Sequence, residues 1–272
     1  MLVLKSIESG RYRVYLSSEG YDVIDLIKGL ENTPVSIKKG RAGIKIFYVN
    51  NIKIACRQYR HGGLLRKFTG DFFISKKRAI QEMEVLLYLF SSGIPAVRPV
   101  SVIEERNGFF KRLYILTIFE DNTENLLEFL SHAQRKTRMR MAKKLAILFF
   151  MLESAGIYHP DLHLDNILVK VNTPSIGQAG LYDVLLMDFD RAVKKTIKAG
   201  DMEKMFWRLN RYIEKMEKKG KLRLDGNEKI LFLRTYERLA GRALLESMRR
   251  GSRKRSFISR IGWAIESLLY KT

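Results

Sequence analysis

A single cysteine, Cys56, means that no internal disulfide can form; this fits a reducing compartment and leaves the fold to apolar packing. Long apolar runs are missing too. The longest, Leu145 to Leu152, has eight residues between Lys144 and Glu153, far short of the roughly 20 that span a bilayer. Met1-Leu2-Val3-Leu4 is interrupted at Lys5, so no secretory signal is expected. Acidic residues are the scarce charge, 29 Asp and Glu against 50 Lys and Arg, a formal +21. That imbalance points to acidic partners: nucleic acid, anionic lipid or a phosphorylated substrate. The interleaving of aromatic and basic residues that marks RNA modules is absent, so nucleic acid is not the expected partner. At 272 residues the chain is long enough for one large domain or two lobes with a sizeable core.

What the chain does have is Tyr158-His159-Pro160-Asp161-Leu162-His163-Leu164-Asp165-Asn166, an apolar run from Ile167 to Val169, and then Leu186-Met187-Asp188-Phe189-Asp190. Asp161 can take a proton from an attacking hydroxyl. The Asn166 amide and the Asp188 carboxylate are hard oxygen ligands suited to Mg²⁺ on a nucleotide's phosphates. Asp and Asn are also ordinary turn residues, since they bond their own backbone. Two such segments in this order, each beside a strand-like run, favour the chemical reading. The pair resembles the H-R-D-x-x-x-x-N loop and D-F-G segment of the protein-kinase-like superfamily.

That resemblance implies a two-lobed α+β fold. An N-terminal lobe, 1–119, would hold an antiparallel sheet with one main helix; a C-terminal lobe, 120–272, would be mostly helical. Residues 1–34 carry weak signals, a strand at Tyr12 to Leu16 and a short helix around Tyr21 to Leu30. Val35 to Lys38 and Ile44 to Val49 flank a turn with Gly40 and Gly43 and read as a hairpin, which in a kinase-like chain covers the phosphates. Ile52 to Tyr59 alternates as a half-buried strand, with Ile52, Ile54 and Cys56 on one face and Ala55 and Arg57 on the other. Ile54-Ala55-Cys56-Arg57 stands where kinases carry Val-Ala-Ile-Lys, so Ala55 would face adenine and Arg57 would reach the phosphates. Arg in place of Lys is a departure, because a planar, permanently charged fork is not a compact ammonium.

After Ser75 a helix is expected, with Ile80, Met83, Leu86, Leu87 and Phe90 on one face and Gly93 at its end. Glu82 is assigned as the partner of Arg57, with Glu84 the competitor. Pro95 to Ile103 and Arg112 to Phe119 are two further strands around a turn at Asn107-Gly108. Glu120 lies where the lobes would join and the backbone would bond adenine. Leu126 to Leu130 is a short helix. Ser131 with Gln134 suggests a capping box for a longer one, whose core stripe is Met141, Leu145, Leu148, Phe149 and Leu152 and which Gly156 closes. His163 replaces the loop Lys of protein kinases and could bond the moving phosphate. Asp190, in place of Gly, adds a carboxylate beside the metal pair and is a candidate further ligand. Arg191 to Gly200 leaves ten residues before Asp201, the expected cap of the next helix. No Ala-Pro-Glu segment intervenes, so a peptide platform is not expected and the acceptor is a small or lipid-linked hydroxyl compound.

More narrowly, the chain resembles the lipopolysaccharide kinase family, through Arg57-Gln58-Tyr59-Arg60-His61-Gly62-Gly63-Leu64, Asp161 to Leu168, Asp188-Phe189-Asp190-Arg191, and Asn210 within Phe206 to Tyr212. The resemblance covers roughly residues 35–215 and leans toward the kinases of 3-deoxy-D-manno-octulosonic acid (Kdo) rather than of heptose. It implies ATP and Mg²⁺ as cofactors, Kdo–lipid A as the acceptor and work at the cytoplasmic face of the inner membrane. The charge then has a candidate cause, since a basic surface gains about 1 kcal/mol per Lys or Arg near an anionic membrane. The densest cluster is Arg249, Arg250, Arg253, Lys254, Arg255 and Arg260, ahead of an apolar stripe from Phe257 to Leu269. It reads as an interfacial helix or as one docked on the lobe. Rival readings are a heptose or other small-molecule kinase, an atypical protein kinase, and a non-catalytic basic module binding RNA or lipid.

Overall fold

The computed structural model describes residues 4–18, 20–37, 43–61, 71–171 and 182–244. The turn with Gly40, the stretch Gly62-Gly63-Leu64 and the basic C-terminal cluster lie outside them. The fold is α+β. Strands β1 (Lys5–Ser9), β2 (Tyr12–Leu16), β3 (Val35–Ile37), β4 (Ile44–Val49), β5 (Ile52–Gln58), β6 (Pro99–Asn107) and β7 (Phe110–Ile118) form one antiparallel sheet in the order β1-β2-β6-β7-β5-β4-β3.

Period-2 alternation gives this sheet two apolar faces. One is covered by α1 (Val23–Asn32), whose Val23, Leu26, Ile27 and Leu30 pack on Val14, Phe47, Ile54, Cys56, Ile103 and Leu116. Asp22 starts α1 by accepting from the N–H groups of Ile24 and Asp25, a capping geometry that offsets the orphan donors of the first turn. Gly29 is where α1 crosses β4: a Cβ there would lie 2.3 Å from the Phe47 ring. Thus residues 1–34, faint as a pattern, supply two strands and the cover of one sheet face. The other face receives α2 (Lys77–Ser91). Its buried residues are Ala79, Glu82, Met83, Val85, Leu86 and Leu89. Phe90 is exposed and Leu89 takes its place, so the packed stripe is rotated by one residue from the expected one.

The remaining elements are β8 (Thr123–Asn125), α3 (Leu126–His132), α4 (Arg135–Ser154), β9 (Ile157–Tyr158), a 3₁₀ turn (Leu164–Asn166), β10 (Ile167–Val171), β11 (Tyr182–Leu186), β12 (Val193–Lys194), α5 (Ala199–Lys218) and α6 (Gly226–Ala240). The expected stripe of α4 is buried in full. The expected capping box is not formed. Ser131 belongs to α3 and donates to the Glu128 carbonyl, while Gln134 precedes α4 without a side-chain cap. Asn125 instead caps α3, accepting from Glu128 N–H at 2.9 Å. Asp201 is the third residue of α5, not its cap, and accepts the Lys198 N–H at 3.1 Å.

Strand β6 begins at Pro99, not Pro95, because the preceding residues pair elsewhere. Val97 N–H donates to Leu186 at 2.9 Å, and Leu186 N–H to Pro95 at 3.1 Å. This bridge ties the α2–β6 connection to the end of β11. One apolar cluster runs from the α2 face of the sheet (Tyr59, Met83, Leu86, Leu89) into the helical part (Leu126, Phe149, Ile157, Phe189, Phe206). Buried Cys56 is pushed up to about 12 by desolvation, which keeps its thiol protonated and inert.

Candidate active site

Backbone pairing assembles the site. Strands β10 and β11 are antiparallel with Ile167 opposite Leu186, so the residues flanking that pair, Asn166 and Met187, emerge side by side. Met187 N–H donates to the Asn166 carbonyl at 3.0 Å. The next residue, Asp188, adopts a left-handed φ of +61°, an uncommon conformation that Asp tolerates better than most residues and that sharply redirects the chain at this point. β9 pairs with β12, Tyr158 opposite Val193, which pins the start of the Asp161 loop to the stretch after Asp190. Beneath the loop, His159 and Phe189 are fully buried with ring centroids 4.8 Å apart. They act as floor. Burial holds His159 neutral, down at about 4.

On the sheet side, alternation along β5 turns Arg57 toward α2. Its Nη2 donates to both Glu82 oxygens, at 2.8 and 2.9 Å, and lies 3.3 Å from Asp188 Oδ1. The Tyr59 hydroxyl also donates to Glu82. Glu82 is 2% exposed, whereas Glu84 faces solvent. Desolvation opposes charge on both partners. It raises Glu82, and in Arg57 the facing carboxylates of Glu82 and Asp188 outweigh it and raise the guanidinium further. One helical turn before Glu82, Arg78 forms a two-pronged ion pair with Asp190. Asp190, expected as a candidate further metal ligand, is thus paired with a cation from α2.

On the helical side, the Asn166 amide donates to the Asp161 carbonyl at 3.0 Å, which leaves its oxygen free of that bond. The Asp161 carboxylate accepts from Arg208 of α5. Tyr212, one turn further on α5, stacks on His163 at 4.6 Å with planes 7° apart, and its hydroxyl donates to Asp165. Burial lowers His163, so it offers a neutral ring where a loop Lys would offer charge. Asn210, the family-like residue of this helix, bonds Glu214 along α5 at 2.7 Å.

The remaining candidates line up along β5. Ile44 stands opposite Arg57, so Gly43, with φ +68°, lies at the Arg57 end of the sheet. At the other end Phe119 N–H donates to the Lys53 carbonyl at 2.8 Å. Ala55 lies between them, partly exposed on the Arg57 face. Glu120 is fixed from both sides: its carboxylate accepts from Lys170 at 2.8 Å and its carbonyl from the Thr123 hydroxyl at 2.9 Å. Among the described residues no three His, Cys, Asp or Glu cluster as a metal-ligand set. Mg²⁺ bound through a nucleotide needs no such set, since one or two protein oxygens suffice beside phosphates and water.

No motif pointed to Arg78, and Arg208 and Tyr212, although inside the family-like segment Phe206 to Tyr212, were given no role there. Their signal is helical spacing. Arg78 lies four residues before Glu82, and Arg208 four before Tyr212, each pair on one face of its helix.

An Arg of β5 paired with a Glu of α2 thus faces Asp188 and the neighbouring Asp–Asn loop, the arrangement expected of a protein-kinase-like phosphotransferase. Solved structures carry the same fold. WaaP in complex with acyl carrier protein superposes with a TM-score of 0.54 at 17% identity, covering 91% of this chain and 93% of that one. The Rio2 kinase–ADP/Mg²⁺–phosphoaspartate complex from Chaetomium thermophilum gives 0.50 at 15% identity, covering 84% and 70%. The profile of the lipopolysaccharide kinase (Kdo/WaaP) family matches residues 26–236, and the chain belongs to that family. Among its relatives, the 3-deoxy-D-manno-octulosonic acid kinase of Vibrio parahaemolyticus is 25% identical over 169 residues, 61% of this chain and 66% of that protein. The kinase of the same name from Xanthomonas oryzae pv. oryzae is 27% identical over 183 residues, 66% and 69%. The match thus spans about two thirds of the length of these relatives.

Proposed function

We propose that the chain is an ATP- and Mg²⁺-dependent sugar kinase that phosphorylates a hydroxyl of Kdo on lipid A. The observation that carries this reading is the convergence of Arg57, Glu82 and Asp188 with the Asp161–Asn166 loop, in a member of the Kdo/WaaP family. In this reading residues 1–119 cover the nucleotide and 120–272 present the acceptor. Asn166 and Asp188 fit Mg²⁺ as donors: one amide oxygen and one carboxylate, both hard, both at the end of the β10–β11 pair.

The bound Mg²⁺–nucleotide supplies the transferable phosphoryl group and neutralises its charge. Arg57 holds the phosphates while Glu82, tied to it, fixes the guanidinium's direction. Ala55 would leave room for an adenine, and the backbone at Glu120 would supply its hydrogen bonds. Gly43, at the Arg57 end of the sheet, would lie near the phosphates, and Gly40 of the same expected turn lies outside the described residues. Asp161 would orient the acceptor hydroxyl and accept its proton as that oxygen bonds the transferred phosphorus and the bond from phosphorus to the leaving ADP oxygen breaks. His163, neutral and clamped by Tyr212, can give one N–H to the moving phosphoryl oxygens.

The acceptor is anchored in lipid, and the +21 charge favours approach to an anionic surface. Among the described residues no helix is long and apolar enough to cross a membrane. Peripheral work at the cytoplasmic face of the inner membrane follows from the acceptor's location, with the basic C-terminal cluster as a candidate contact. Incubation with ATP and Mg²⁺ of Kdo–lipid A, heptosylated core and a generic protein set, read by mass spectrometry, tests the acceptor. One phosphate on Kdo–lipid A is expected. Phosphate on heptose or protein alone would move the assignment to a rival kinase.

A further inference from the structure

Helix α5 meets the catalytic loop at alternate residues. Arg208 donates to Asp161, and one turn later Tyr212 covers the His163 ring and donates to Asp165. The tyrosine contacts fix the helix against the loop, so the guanidinium is held at a set place. The loop does not depend on Arg208 for its shape. Leu162 N–H donates to His159 at 3.3 Å, Asn166 N–H to His163 at 3.0 Å, and the Asn166 amide to the Asp161 carbonyl at 3.0 Å. The Arg208 side chain is 43% exposed and that of Asp161 35%. A guanidinium has five N–H donors in a planar fork, and the bond to Asp161 uses one nitrogen. A permanent cation beside the proton-accepting carboxylate is open on its other side to an anion.

We infer that Arg208 is an acceptor-binding residue that grips a carboxylate of an acidic sugar next to the hydroxyl delivered to Asp161. The inference rests on the sugar-kinase reading above and adds the chemistry that selects the acceptor. An arginine fork matches the two oxygens of a carboxylate. Because the same guanidinium touches Asp161, an acid group bound to it places only nearby hydroxyls within reach of the base. Tyr212 then acts as a positioning residue for Arg208 through the shared helix face.

The test compares acidic and uncharged acceptors on the 272-residue chain. Phosphorylation of Kdo–lipid A and of its Kdo methyl ester is measured for wild type, Arg208→Gln and Arg208→Lys. Wild type is expected to prefer the free acid by about tenfold or more in kcat/KM, the scale of one charge-assisted pair. Arg208→Gln should treat acid and ester alike, with the loss carried in the acceptor KM rather than the ATP KM. Arg208→Lys should recover part of the preference. A wild type that does not distinguish acid from ester overturns the inference, as does an Arg208→Gln that keeps the wild-type ratio at whatever absolute rate. A wild type that phosphorylates neither overturns the sugar-kinase reading itself, and the inference with it.

Discussion

At the scale of single residues, the site is an arrangement of charges that cannot all be satisfied by one another. Arg57 faces two carboxylates, Glu82 and Asp188, but only Glu82 is fully enclosed; Asp188 is partly exposed and sits at the longer distance. In the proposed reading Glu82 is the structural partner and Asp188 the carboxylate offered to a metal. The strand-borne guanidinium reaches both Glu82 oxygens through one nitrogen, Nη2, and a compact lysine ammonium can match its planar, permanent charge only in part. Arg57→Lys should keep partial activity, whereas Arg57→Ala should lose about 10²-fold or more in kcat/KM, as when a phosphate-directed cation is removed. An alanine variant with undiminished turnover would show that Arg57 is not the phosphate cation.

At the scale of elements, two ion pairs one helical turn apart join α2 to the segment after β11, Arg57–Glu82 reaching Asp188 and Arg78 reaching Asp190. Gln81 adds a bond to the Ala192 carbonyl at 3.0 Å. The placement of α2 against the segment after β11 is thereby built from side chains, and only residues 191–198 separate Asp190 from α5. Arg78→Ala should lower kcat by about tenfold, through looser placement of Glu82; steady-state kinetics showing an unchanged kcat would remove that role. On the far side of the sheet, Gly29→Ala places a methyl against the Phe47 ring. A loss of about 1–3 kcal/mol is expected from such overpacking, read as a lower urea midpoint with the same slope.

At the scale of the whole molecule, stability should carry the signature of His159. Its ring is buried and uncharged, at about 4 against 6.5 for a solvated imidazole. A base depressed on folding contributes stability that is complete above 6.5 and is lost as pH falls toward 4. By pH 5 the loss is about 2 kcal/mol from this group, and His159→Gln should flatten the difference between urea unfolding at pH 7.5 and pH 5. Much of this architecture was legible in sequence because its signals are local: the alternation of β5, the stripe of α4, and Asp161, Asn166 and Asp188 beside apolar runs. Three features were not. The cover formed by residues 1–34 depends on the sheet it meets, the partners of Asp161 and Asp190 come from helices distant in sequence, and the stripe of α2 is set by which neighbours it packs on. Pairing across long sequence separations leaves no periodic trace.

The account turns on one transfer, from nucleotide to a Kdo hydroxyl, through Asp161. Mass spectrometry of Kdo–lipid A after incubation with ATP, Mg²⁺ and either wild type or Asp161→Asn tests it most directly. The prediction is one added phosphate with wild type and a yield lower by about 10²–10⁴-fold with the variant, the range for loss of a general base. Equal phosphorylation by both proteins, or none by wild type that binds the nucleotide, would contradict it.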